Sequence, residues 1–316
     1  MLPDVALLRI FDFYIDEERI EEWHTLVHVC RIWRNVVLGS PRRLNLRLCC
    51  TGTKPVRNML DVWPPLPIVV FDNGYKMLSV GNIIAALEHN DRVCDIELWR
   101  RRLPRSPKEM VLLAMQRPFP ALTNLRLVSR EEEVGFLDSD SFLGGSAPRL
   151  RSLWFNCVPF PGLPKLLLSA TRLVDLRLWR IPHSGYISPE AMVAGLSALT
   201  RLEKLVIRFE SPHSHPEPDL PTMARTLLPA LTYLRFKGVC GYLEDVVARI
   251  DAPLLKDLNI SFSINVYLTH RNLLSSSAAR PGCWRHTMKH ASSFLVRTLR
   301  SHFRVHSTST ARETSS

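Results

Sequence analysis

An α/β chain is expected here: a small helical unit over residues 1–41, a solenoid of short parallel strands with outer helices over 42–265, and a basic tail over 266–316 that is disordered or partly helical. Three features lead there. Apolar residues recur at helical spacing in the first forty-odd positions. An apolar-x-x-apolar-x-apolar triple then returns seven times between residues 93 and 260, and acids nearly vanish after Asn265.

The helical unit reads as two blocks. Leu7, Leu8, Phe11 and Tyr14 form the first, and Leu26, Val29, Cys30, Trp33 and Val37 the second, with Asp16-Glu17-Glu18 between them. Asp4, directly after Pro3, is placed to cap the first helix. A unit this small has too little core to stand alone, so its large side chains must pack on the rest of the chain or on a partner. These residues resemble an F-box: Leu2-Pro3 heads a helix, Leu7 precedes Ile10-Phe11, and Val29-Cys30 precedes Trp33-Arg34. The resemblance covers roughly residues 1–40. It implies docking on a Skp-type adaptor and, through it, on a cullin scaffold. Leu2, Pro3, Leu7, Ile10, Phe11, Leu26, Val29, Cys30 and Trp33 would supply the adaptor-facing or supporting apolar surface.

The repeats follow. The triples are Val93/Ile96/Leu98, Leu122/Leu125/Leu127, Leu150/Leu153/Phe155, Leu173/Leu176/Leu178, Leu202/Leu205/Ile207, Leu231/Leu234/Phe236 and Leu255/Leu258/Ile260. Their first members lie 29, 28, 23, 29, 29 and 24 residues apart, the period of leucine-rich repeats. Helices fit between them. Ser106-Pro107-Lys108-Glu109 reads as a capping box with Pro at the first helical position, Ser188-Pro189-Glu190 opens 191–199 in the same way, and 243–250 is amphipathic. Two earlier strands extend the array: Leu44, Leu46 and Leu48 alternate, and Ile68–Phe71 is a β-prone run after Pro64, Pro65 and Pro67, with 83–87 as the following helix. Most copies lack the Asn or Cys that would build a regular ladder, so an irregular horseshoe is expected.

Strand alternation then predicts an inner wall. The middle x of each triple is Glu97, Arg126, Trp154, Arg177, Val206, Arg235 and Asn259; two residues further come Trp99, Val128, Cys157, Trp179 or Arg180, Arg208, Lys237 and Ser261. Trp99, Arg126, Trp154, Arg177, Trp179, Arg208 and Arg235 are the candidate target-binding strip, because aromatic and guanidinium groups dominate protein–protein hot spots.

Other chemistry finds little support. There is neither a Gly-rich phosphate loop nor a Gly-x-Ser-x-Gly elbow, so no enzyme is expected. Glu131-Glu132-Glu133 reads as a solvated run, and His213-Ser214-His215 sits in a proline-rich loop. Cys283-x-x-His286-x-x-x-His290, with His270 nearby, is the sharpest metal candidate, but it lacks a second Cys pair and acidic support. No metal or cofactor is expected. Seven scattered cysteines fit buried reduced thiols in the cytoplasm and/or nucleus, and no apolar run reaches the about eighteen residues of a membrane span. The +11 net charge is uneven: the tail carries +7 and residues 1–265 only +4. The function implied is a non-catalytic target-recognition subunit of an SCF-type cullin–RING ubiquitin ligase, with an unknown protein target and neither nucleic acid nor membrane as partner. The alternative is a basic leucine-rich-repeat scaffold held to nucleic acid or another acidic partner, its tail gripping phosphates.

Overall fold

The computed structural model describes residues 2–15, 22–50, 55–71, 80–99, 105–129, 140–210 and 225–262. The tail, the Glu131–Glu133 run, the His213/His215 loop and the Cys283/His286/His290/His270 set lie outside them. The chain is mixed α/β and divides into two compact units, 1–127 with 141–147, and 128–140 with 148–316.

In the first unit three helices open the chain: α1 (Asp4–Tyr14), α2 (Trp23–Val29) and α3 (Arg31–Gly39). The second apolar block is thus two helices. Cys30 is fully extended (φ −159°, ψ 170°), and this one residue resets the helical phase, so Val29 and Cys30 turn outward instead of joining the buried stripe. Asp4 does not cap α1. Pro3 holds the cap position with extended backbone, its carbonyl accepts from the Ala6 and Leu7 amides, and Asp4 sits inside the first turn, where its charge suits the positive helix end.

Strands β1 (Leu48–Cys50), β2 (Ile68–Phe71), β3 (Val93–Trp99) and β4 (Asn124–Val128) follow, with helices α4 (Val56–Val62), α5 (Val80–Leu87) and α6 (Arg105–Ala114) between them. The sheet order is β1-β2-β3-β4, and β1, β2 and β3 pair in parallel. Leu44 and Leu46 are buried but lie before the strand, which begins only at Leu48. α6 starts at Arg105, one residue ahead of the Ser106 expected to cap it.

One core joins the amino-terminal helices to the first strand. Leu7, Leu8, Phe11, Trp23, Leu26, Val27, Val36 and Val37 pack with Leu44, Leu46, Leu48 and Leu66, flanked by Met59, Leu60 and Trp63. Trp23 is fully buried: its indole NH donates to the Arg47 carbonyl at 2.9 Å, and its ring meets Trp63 edge-on at 5.0 Å. His24 stacks on the other tryptophan at 5.0 Å with planes 4° apart.

In the second unit β5 (Ser152–Asn156), β6 (Asp175–Ile181), β7 (Lys204–Phe209), β9 (Tyr233–Gly238) and β11 (Asp257–Phe262) form a parallel sheet in that order. A separate pair, β8 (Thr226–Leu227) with β10 (Ile250–Asp251), is also parallel. Helices α7 (Leu163–Ser169), α8 (Pro189–Leu196) and α9 (Cys240–Arg249) intervene. Ser188 caps α8 as its sequence predicts, its hydroxyl accepting from the Ala191 amide at 3.2 Å.

The repeating triples are this unit's core. Leu150, Leu153, Leu173, Leu176, Leu202, Leu205 and Leu231 have essentially no exposed surface. Each such side chain contributes about 1.5–3 kcal/mol relative to leaving it in water. The first member of each triple sits in the turn before its strand, and the other two point into the core from within it, except in the last triple, where Leu258 and Ile260 are only half-buried.

Candidate functional site

Two surfaces carry the candidate residues, one on the amino-terminal helices and one on the open faces of the strands.

Helix α1 is apolar on two sides. Leu7, Leu8 and Phe11 face inward, with Trp33, half-buried, edge-on to Phe11 at 4.9 Å. Away from that face Ile10 and Phe13 are exposed, with half-buried Ala6 continuing the stripe at the Ala6–Ile10–Phe13 spacing of one helix face. Leu2 is exposed just ahead of the helix, and Tyr14, on the Leu7/Phe11 side, shares a hydrogen bond with Thr25. Phe13 is 92% exposed. Leu7, Phe11 and Leu26 from the expected adaptor-binding set therefore go to the chain's own core, whereas Leu2, Pro3, Ile10, Val29 and Cys30 reach the surface. Val5, Phe13 and Ile32 are exposed apolar residues that the motif did not single out. Phe13 was readable as the apolar residue out of phase with Leu7 and Phe11. The exposed Cys30 thiol also corrects the expectation of buried cysteines; Cys49 and Cys94 are half-buried, and Cys50 and Cys157 buried.

Strand alternation in the first unit turns Glu97, Trp99 and Arg126 outward. The Trp99 indole NH donates to the Glu97 carboxylate at 2.7 Å, the Arg126 guanidinium meets the same oxygen at 3.0 Å, and its carbon lies 5.0 Å from the Trp99 ring centre. One row away, Asn124 donates to Asp95 at 2.9 Å, and burial raises the Asp95 carboxyl above its ordinary pKa.

In the second unit the Asp175 carboxylate takes both Nε and Nη2 of Arg177, at 2.9 and 2.6 Å. That pairing holds the guanidinium pKa above its usual value, and the group lies 5.7 Å from the Trp154 ring. Trp179, 6.3 Å from Trp154, receives Arg208 at 4.4 Å and Arg235 at 5.9 Å. Arg180 pairs with Glu210, and the Lys204 ammonium sits 4.9 Å over Tyr233. All seven expected strip residues are thus outward on their strands, in two clusters, one per unit.

Two inner-wall assignments need correction, and a third residue is on that face but covered: Val206 is only 2% exposed, since it lies in register between Arg177 and Arg235, whose long side chains share its face. Val128 is buried at the end of β4. Cys157 is buried because β5 ends at Asn156 and Cys157 has left-handed backbone (φ 54°), which turns its side chain inward.

Chemically these surfaces offer recognition. Guanidinium groups seated on indole rings combine a planar donor set with a large apolar plate, a pairing suited to carboxylate-bearing ligands. Among the described residues no group of His, Cys, Asp and Glu is arranged to hold a metal ion, and no helix is long and apolar enough to cross a membrane. No protein-family model matches the chain, and no curated protein matches it.

Proposed function

We propose that the chain is a non-catalytic target receptor of an SCF-type cullin–RING ubiquitin ligase acting in the cytoplasm and/or nucleus. Residues 1–41 are read as an F-box-like unit that docks on a Skp-type adaptor, and the strand–helix repeats of 42–265 as an irregular leucine-rich-repeat solenoid that presents a target. It would tether target near the ubiquitin-transfer machinery and perform no chemistry itself.

One observation carries this reading: α1 has a second apolar stripe, separate from its buried one, holding Ile10 and Phe13 in solvent, with Leu2 exposed just ahead of the helix. A helix that only sealed the core end would need one apolar stripe. Burying a side chain such as Phe13 against a partner is worth about 1.5–3 kcal/mol.

The test is co-purification of the full chain with a purified Skp-type adaptor. Ile10→Glu and Phe13→Glu, both at exposed positions, should each weaken capture by about tenfold or more while leaving thermal unfolding unchanged. Capture that persists in the double variant, or that wild type never shows, overturns the proposal. Retention on nucleic acid that falls steeply with salt would instead favour the basic-scaffold alternative.

A further inference from the structure

The outward strand faces of the two units each carry the same small arrangement: a carboxylate, a guanidinium and an indole. In the first unit it is Glu97, Arg126 and Trp99; in the second it is Asp175, Arg177 and Trp154. Trp179 starts a third copy that stays incomplete. Two guanidiniums approach its ring, from Arg208 and Arg235, and the β7–β9 register sets Lys237 beside Arg208. Among the described residues no carboxylate lies within ion-pair distance of any of the three cations.

The nearby acids are committed elsewhere. Asp175 is held by Arg177 and Glu210 by Arg180, and Asp257 lies at the opposite end of the strand rows, in register with Tyr233. Arg208 is half-buried, and that burial together with the Arg235 charge pushes its guanidinium pKa below the ordinary value. Like charges brought together without a counter-ion repel, and a bound anion would relieve that repulsion.

We propose that Arg208 and Arg235, seated over Trp179, and Lys237 beside Arg208 accept the carboxylates of an acidic, extended segment of a partner protein. The two complete copies indicate the ligand class, since in each the group beside the arginine is a carboxylate. The open sheet face suits an extended chain better than a small molecule, which needs enclosure on several sides. Neighbouring strands set their side chains about 4.8 Å apart, so acids at alternate positions of a bound segment can reach adjacent cations. A uniform polyanion fits less well, because it would also meet the Asp175 and Asp257 rows on this face.

This inference deepens the reading of the strand face as the target-binding wall. It is independent of adaptor capture, so the two can fail separately. The test uses the full chain without adaptor and a labelled peptide bearing two glutamates separated by one serine, followed by anisotropy. Saturable binding is expected below about 1 mM, and the glutamine counterpart should bind about tenfold more weakly or worse. Arg208→Gln and Arg235→Gln should each cost about tenfold, Arg208→Lys should cost less, and Arg172→Gln, on an exposed turn of the same unit, should cost nothing. Binding should also perturb indole emission, and Trp179→Phe should remove that change. Thermal unfolding checks that each variant folds, and Arg208→Lys serves where Arg208→Gln does not. Several results would overturn the proposal: no saturable binding by wild type, equal binding of the glutamine peptide, or binding retained in the Arg208→Gln/Arg235→Gln double variant. Binding of a phosphoserine peptide or single-stranded nucleic acid in place of the glutamate peptide would overturn the carboxylate assignment in the same way.

Discussion

Asp95 illustrates what the repeat face asks of individual residues. Its carboxyl accepts from Asn124 at 2.9 Å and feels Arg47, both of which favour the charged form, yet burial outweighs them and raises its pKa. The native chain therefore keeps this proton to a higher pH than the unfolded chain does. The contribution of Asp95 to stability is largest in acid, declines as pH rises from the ordinary carboxylate value to the raised one, and stays low above that. Asp95→Asn should accordingly be more stable than the parent at neutral pH and indistinguishable from it near about pH 3. Urea unfolding at the two pH values checks this, and a variant less stable at pH 7 would refute the burial argument. Arg177 is the opposite case, since its carboxylate is supplied two residues earlier on the same strand face. Outward placement of Arg177, Arg208 and Arg235 was legible from alternation alone. Which of them is already paired was not, because that depends on the reach of Asp175 and Glu210.

Among the elements, α7 and α8 pack through a glycine. A side-chain carbon at Gly195 would stand 2.9 Å from the Pro164 Cα and 3.1 Å from its carbonyl oxygen. Replacing a helical glycine with alanine normally gains about 1 kcal/mol. Here the clash is with backbone, which cannot swing aside, and overpacking costs about 1–3 kcal/mol. Gly195→Ala should therefore lower the unfolding midpoint, and a raised midpoint would show that α7 can retreat. Strands β3 to β7, β9 and β11 were legible because the same apolar triple returns every 23 to 29 residues. The short helices α4 and α7 were not, since about two turns carry too little periodicity to separate from a loop. The break at Cys30 was hidden for a related reason: one extended residue leaves the apolar composition unchanged while rotating everything after it.

At the scale of the molecule, stability is assembled from neighbours. In the second unit β6 is hydrogen-bonded to β5 and β7, and Leu176 stands in register with Leu153 and Leu205, all three fully buried. Leu176→Ala should cost about 2–5 kcal/mol through lost transfer energy and the cavity left behind. In a stacked array that loss is felt first by adjacent repeats. Hydrogen exchange should therefore accelerate in β5, β6 and β7 before β11, whereas uniform acceleration would mean that the unit unfolds as one block.

The Trp23–Trp63 contact has a practical corollary. Because α2 fastens its largest side chain against Trp63 and Arg47, the opening helices are not a portable cassette. A graft that moved residues 1–41 onto another scaffold would strip the cover from Trp23, Leu26 and Val27. A transplant that kept its shape would have to carry the chain onward through Leu66, so swapping this head between proteins means bringing its first strand along.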